Sequence, residues 1–129
     1  MILLDTHIWI WYEDDNNRLT DRHRDVIAAH LDDGLALSII SCWEVAKLVE
    51  YDRLDLAVPV HEWIEQALAF PGIRLIELTP QITVASTQLP GQFHRDPADQ
   101  IIVATARIYD VEILTTDQRI LNYVHVKTM

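Results

Sequence analysis

The stretch DPADQIIVATARIY, from Asp96 to Tyr109, is the most regular part of the chain and the best guide to its fold. Asp96 is a favoured helix N-cap, Pro97 suits the first helical position, and the apolar residues that follow recur at helical spacing. Directly after this predicted helix, the apolar run Val111 to Thr115 predicts a buried strand that leads into Asp117. A helix followed at once by a buried strand is typical of an α/β protein.

Outside this unit, predicted helices and strands alternate along the whole chain. Further strands are predicted at residues 2–5, 35–40, 73–78 and 123–127. Further helices are predicted at residues 7–12, 20–31, 41–50, 59–70, 79–89 and 117–122. This alternation predicts the α/β fold class, as one domain over residues 1–129 with a mostly parallel sheet covered by helices on both faces.

Composition narrows the function classes. The chain has 129 residues, half of them hydrophobic, with one cysteine and a formal net charge of −10. No apolar run is long enough to span a membrane and no signal peptide is apparent, so we expect a cytoplasmic protein. The acidity argues against a protein that simply coats DNA or RNA, but it suits a nuclease whose carboxylates bind cations. The three glycines form neither a dinucleotide-binding motif nor a P-loop.

Four acidic residues at the ends of strands or in the first turns of helices form the candidate site. Asp5 and Asp117 come directly after predicted strands, and Glu44 and Asp99 lie in the first turns of predicted helices. Because the carboxyl ends of parallel strands meet at one edge of a sheet, we expect these side chains to converge. Converging carboxylates raise one another's pKa values, and a divalent ion that prefers oxygen ligands, Mg²⁺ or Mn²⁺, removes that penalty.

Each of these acids also has a purely structural interpretation. Asp5 and Asp117 can cap the helices that follow them. For Asp96, which precedes a proline and a helix, capping is the favoured interpretation. Asp99 can serve as the acid of a capping box. The joint pattern outweighs these separate interpretations, because capping alone does not explain why the acids fall at the same edge of the sheet.

Basic residues beside the acids are assigned structural roles by default. Glu44 can pair with Lys47, one helical turn further on. His94, Arg95 and Arg119 stand close to acids in the sequence and can contact a phosphate, but a solvated surface role is the default for all three.

Four segments carry the acids: LLDTH at residues 3–7, SIISCWEVA at 38–46, HRDPADQIIVATA at 94–106 and LTTD at 114–117. In this order they resemble the PIN-domain ribonucleases of the VapC type, the toxins of type II toxin–antitoxin pairs. The resemblance covers nearly the whole chain. Each motif alone is weak, whereas four acids in the family's order and context are a strong signal.

The resemblance implies a PIN-like three-layer α/β/α fold with a mostly parallel five-stranded sheet. The family's catalytic, metal-binding acids correspond to Asp5, Glu44, Asp99 and Asp117, and Asp96 is an additional candidate ligand. The resemblance further implies Mg²⁺- or Mn²⁺-dependent endonucleolytic cleavage of RNA, a homodimer, and a small antitoxin that wraps the toxin and blocks its acidic groove.

Two alternatives stay open at this point. The first is a catalytically silent PIN module that binds other proteins. The second is another Mg²⁺-dependent phosphodiesterase or phosphatase, because the acids do not recognise a 2′-hydroxyl. The sequence leaves the RNA target, the RNA-binding surface and the number of metal ions unassigned.

Overall fold

A single sheet of four parallel strands forms the centre of the molecule; the computed structural model describes all 129 residues. The strands are β1 (Ile2–Leu4), β2 (Leu35–Ser38), β3 (Ile73–Ile76) and β4 (Glu112–Leu114), in the order β3-β2-β1-β4. In the register of the sheet, Leu3 lies opposite both Ala36 of β2 and Ile113 of β4. The predicted α/β fold class with a parallel sheet is confirmed.

Helices cover both faces of this sheet. They are α1 (Thr6–Glu13), α2 (Asp21–Ala29), α3 (Ile39–Glu50), α4 (Val60–Leu68), α5 (Pro80–Ser86), α6 (Pro97–Tyr109) and α7 (Gln118–Leu121). Successive strand residues point to opposite faces: Ile2 and Leu4 pack with residues of α1 to α4, whereas Leu3 packs with residues of α5, α6 and α7. Two core clusters therefore flank the sheet and give three layers. None of the helices combines the length and apolar character needed to cross a membrane.

The predicted fifth strand, at residues 123–127, is wrong. The chain turns in this segment, where Val124 is 84% exposed, and only Thr128 forms a single bridge with Ile113 of β4. Tyr123 is buried because its ring packs into the core cluster on the α6 side, not because it lies in the sheet. The alternating sequence pattern here comes from one buried aromatic anchor followed by a turn.

Side-chain caps determine where helices begin at the carboxyl edge of the sheet. The Ser38 hydroxyl accepts a hydrogen bond from the Ile40 N–H (3.2 Å), so α3 starts at Ile39 and β2 ends two residues earlier than predicted. Asp5, Asp96 and Asp117 cap α1, α6 and α7 through their own carboxylates. The structural interpretation of these three acids as helix N-caps is confirmed.

Candidate functional site

A pocket of about 200 Å³ opens at the carboxyl edge of the sheet, and we call it the acidic pocket. Its lining includes all five acids that the sequence singled out: Asp5, Glu44, Asp96, Asp99 and Asp117. Asp5 follows β1, Asp117 comes after β4, Glu44 lies on α3, and the other two acids begin α6. Residues far apart in the chain thus meet in one pocket because the parallel strands deliver them to the same edge.

Asp5 is the most enclosed of the acids, with 3% of its surface exposed. Its Oδ1 accepts a hydrogen bond from the Thr6 N–H (2.9 Å), and its Oδ2 accepts one from the Thr115 hydroxyl (2.7 Å). The Thr115 oxygen in turn accepts a hydrogen bond from the Asp117 N–H (2.9 Å). Both carboxylate oxygens of Asp5 are therefore partnered, which is what makes burial of this group tolerable.

Glu44 is held by a short chain of hydroxyl groups. The Thr6 hydroxyl donates to Glu44 Oε1 (2.5 Å), so the Ser41 hydroxyl, 2.8 Å from the Thr6 oxygen, must donate to Thr6. Burial raises the pKa of Glu44, and the neighbouring negative charge of Asp5 raises it further. The alternative pairing of Glu44 with Lys47 is not formed; the Lys47 ammonium pairs instead with the Glu50 carboxylate at 2.8 Å.

Asp96 and Asp99 lie on the first turn of α6 but in different environments. Asp96 is exposed, and its Oδ1 accepts hydrogen bonds from the N–H groups of Ala98 (2.9 Å) and Asp99 (3.2 Å). Asp99 is 7% exposed, and its pKa is raised to about 7, first by burial and then by the negative charges of the other four pocket acids. Among the pocket acids, Asp99 is therefore the one at which burial and charge repulsion together disfavour the ionised form most.

Arg119 bridges two of the acids from the rim of the acidic pocket. Its Nη2 lies 3.0 Å from Asp117 Oδ2 and 3.6 Å from Asp99 Oδ2. The hydrogen bonds from Arg119 lower the pKa of Asp117, whereas at Asp99 burial and the other acids outweigh the more distant guanidinium. His94 Nε2 is 2.9 Å from Asp99 Oδ2 but is buried without hydrogen-bond geometry to any partner.

Comparison with known proteins supports a single family for this arrangement. The family model for the PIN domain matches residues 2–126. Ribonuclease VapC22 of Mycobacterium tuberculosis is 35% identical over 124 residues, which are 96% of this chain and 92% of that protein. The chain belongs to the PIN-domain family. The resemblance to VapC-type PIN domains, carried by the four acidic segments, is confirmed.

Solved structures share the fold of this PIN domain. VapBC2 from Rickettsia felis, in crystals with a promoter DNA fragment, aligns with a TM-score of 0.72 and 14% identity over 100% of this chain and 98% of that one. FitAcB from Neisseria gonorrhoeae aligns with a TM-score of 0.70 and 22% identity, over 100% and 96%. A toxin–antitoxin complex from Klebsiella pneumoniae aligns with a TM-score of 0.65 and 20% identity, over 96% of this chain and 92% of that one. At these identities the likeness supports the fold alone.

The acidic pocket of this PIN domain has the donor chemistry of a site for a hard divalent cation. Its acids offer only oxygen ligands, and the raised pKa of Asp99 reports negative charge that a cation would neutralise. The side chains do not form a complete metal site, since no group of three His, Cys, Asp or Glu residues is positioned to bind one ion. Arg119 would have to release Asp117 and Asp99 before they close around an ion.

Three neighbours of the acids in this PIN domain were not predicted from the sequence. His94 and Arg119 were assigned solvated surface roles, yet His94 is 19% exposed beside Asp99 and Arg119 contacts two acids. His7 also lines the acidic pocket and accepts a hydrogen bond from the Thr116 N–H (3.1 Å). The contact of Arg119 with Asp117 could have been predicted, because the two residues are only two positions apart. The contact of His94 with Asp99 could not, because it depends on the path of a loop.

Proposed function

We propose that this PIN domain is the VapC-type toxin of a type II toxin–antitoxin pair, cleaving RNA in the cytoplasm as a Mg²⁺- or Mn²⁺-dependent endonuclease. The observation that carries the proposal is the meeting of five carboxylates in one pocket at the carboxyl edge of the sheet. The 35% identity to Ribonuclease VapC22 supports RNA as the substrate. Because several acids surround one small pocket, charge neutralisation by a divalent ion is the chemistry that suits it best.

The most buried acids suit the role of main metal ligands. Asp5 and Asp99 are 3% and 7% exposed, so they would hold the ion away from bulk water. Asp117 would complete the site after Arg119 moves, and Asp96, exposed and already engaged as a helix cap, is an additional candidate ligand. When bound, the ion supplies acidity to a water molecule and offsets the negative charge of the phosphate.

Glu44 suits the role of proton acceptor for the attacking water. Its raised pKa makes its carboxylate a stronger base near neutral pH, where general-base catalysis is most effective. The hydrogen bond from Thr6 engages Oε1 and leaves Oε2 to take the proton. Glu44 can also contact the ion directly or through water.

The proposed protein partners are an antitoxin and a second copy of this chain. A net charge of −10 suits a basic protein segment, such as the tail of an antitoxin that blocks the acidic pocket. Solved structures with the same fold include a toxin–antitoxin complex. We propose the same type of partner for this chain, together with assembly as a homodimer.

Substitution of Asp5 tests this proposal. Asp5→Asn keeps the oxygen that accepts from Thr6 but removes the charge, so RNA cleavage with Mn²⁺ should fall about 1000-fold or more while the fold persists. Asp25→Asn is the matched control, because Asp25 is exposed on α2 and outside the acidic pocket. Gel analysis of labelled RNA measures the rate, and cleavage by Asp5→Asn at the parental rate would refute the assignment.

Two observations favour a catalytically silent PIN module as the second candidate: no three His, Cys, Asp or Glu side chains are positioned to hold a metal ion, and Arg119 already neutralises part of the acidic charge. A silent module should gain no thermal stability from Mn²⁺, whereas an ion that binds only the native state must raise the melting temperature. Parallel assays with RNA and matched DNA separate a ribonuclease from another phosphodiesterase.

A further inference from the structure

Next to the acidic pocket lies a groove whose lining contains no acidic residue. Two cavities of about 370 and 590 Å³ adjoin each other and share Gly91, Gln92, Phe93 and His94 in their linings. Arg119 lines one cavity and Arg95 lines the other. We call this combined surface the acid-free groove. In a chain with 20 aspartates and glutamates, a negatively charged ligand meets less repulsion on this surface than in the acidic pocket.

The acid-free groove is continuous with the acidic pocket. Arg119 contributes to both linings, and His94 approaches Asp99 of the acidic pocket to 2.9 Å. A strand lying in the groove would therefore reach the acids past the Arg119 guanidinium, which can bind a phosphate with two hydrogen bonds. Arg95, the residue after His94, is exposed and lines the second cavity, so it can bind a second phosphate.

A ladder of rings follows the same path. The ring centroids of Phe93 and His94 are 4.4 Å apart, those of Phe93 and Tyr123 are 4.9 Å apart, and those of Tyr123 and His125 are 5.5 Å apart. Tyr123 is buried and supports the ladder, while Phe93 is partly exposed and His125 is exposed. Exposed ring faces beside cations are the usual platform for unpaired bases.

We propose that the acid-free groove binds the single-stranded RNA segment next to the phosphodiester that is cut. This inference rests on the proposed function for the identity of the strand, but binding can be measured without cleavage. A basic antitoxin segment is the poorer occupant, because the groove lining offers it no carboxylate.

Fluorescence anisotropy with a labelled single-stranded RNA of roughly 12 nucleotides tests the proposal, in EDTA at low salt so that no cleavage occurs. Arg95→Glu should weaken binding about tenfold or more and reduce the salt slope by about 0.7 for each phosphate that the side chain no longer neutralises. The matched control is Arg18→Glu, which makes the same charge change on a loop residue that lines neither cavity. The control should change RNA binding less than about twofold, because salt screens an exposed charge that lies outside the groove.

A second variant tests the ring ladder without depending on charge. Phe93→Leu keeps an apolar side chain against the core but removes the ring, so RNA binding should weaken about fivefold or more. Circular dichroism and thermal melting establish that both groove variants are folded.

The outcomes distinguish failure of the proposed RNA-binding groove from failure of the proposed ribonuclease activity. Selective loss of RNA binding by Arg95→Glu and Phe93→Leu supports the groove, even if the parental protein cuts no RNA and the proposed function fails. Equal weakening of RNA binding by Arg95→Glu and Arg18→Glu overturns it, as does a parental protein that binds no RNA. Groove variants that bind RNA normally but no longer bind a synthetic Arg-rich peptide also overturn it, because the surface then belongs to a protein partner.

Discussion

The acidic pocket has two halves, one around Asp5 and one around Asp117, and different kinds of contact hold them in place. Asp5 is 3% exposed, and the Thr6 backbone and the Thr115 hydroxyl partner both of its carboxylate oxygens. Asp117, in contrast, is held by Arg119, whose side chain is 59% exposed. Buried hydrogen bonds are costly to break, whereas exposed ion pairs contribute little, so the first half is fixed and the second can rearrange. Such a pocket keeps one ligand in place while the others close around an ion.

Removal of the charge on Asp99, which lies between the two halves, should have the largest effect on stability. Its pKa is raised from 3.8 to about 7, so the folded protein keeps a proton that the unfolded chain has released. In EDTA the free energy of unfolding should fall between about pH 4 and about pH 7 and level off above. Asp99→Asn should remove this slope and stabilise the protein at pH 8 by up to about 4 kcal/mol, measured by urea unfolding.

Glu13 provides the control for that pH series, because its pKa is also raised to about 7 although it lies at the end of α1, outside the acidic pocket. Glu13→Gln should remove a separate part of the slope. With saturating Mn²⁺ the parental protein should gain stability and Asp99→Asn should gain little. If Asp99→Asn keeps the parental pH dependence, the pKa of Asp99 is not raised in the folded protein.

The fixed half of the pocket is tested by Thr115→Val. The substitution leaves Asp5 Oδ2 and the Asp117 N–H without their partner, so the free energy of unfolding should fall by about 2 kcal/mol. Thr116→Val is the control: its hydroxyl is exposed and lies 2.8 Å from His7 Nε2, and losing this exposed hydrogen bond should cost less than about 0.5 kcal/mol. Equal effects of the two variants in urea unfolding would break the contrast between a fixed and an adjustable half.

The smallest effect concerns the adjustable half. Arg119 competes with any cation for Asp117 and Asp99, so Arg119→Gln should tighten Mn²⁺ binding by at most about fivefold. Isothermal titration calorimetry measures the affinity, and Arg18→Gln removes the same charge from a residue outside the acidic pocket. Unchanged or weaker binding by Arg119→Gln relative to this control would mean that Arg119 does not compete with the ion.

Local sequence signals were sufficient for most of the fold. The caps at Asp96 and Asp117 and the apolar runs of β1 to β4 were predicted because each depends on a few adjacent residues. The meeting of the acids was predictable for a related reason, since parallel strands must end at a common edge. The family resemblance then indicated which of Asp96 and Asp99 is the main candidate ligand.

The errors arose where distant contacts decide the structure. Tyr123 was expected in a strand, but it is buried by packing against side chains such as Phe93, from a loop that the local pattern does not place. Lys47 has two acids within helical reach, Glu44 and Glu50; Glu50 is its partner, whereas the partly buried Glu44 carboxylate accepts a hydrogen bond from Thr6. His94 approaches Asp99 only through the path of the loop before α6.

The Thr115 hydroxyl has a mechanical consequence. It donates to Asp5 and accepts from the Asp117 N–H, so it couples the end of β1 to the first turn of α7. A ligand that draws the Asp5 carboxylate towards itself also pulls on the helix start that carries Asp117 and Arg119. Occupancy at the centre of the sheet edge can thus be transmitted to the rim through one side-chain oxygen.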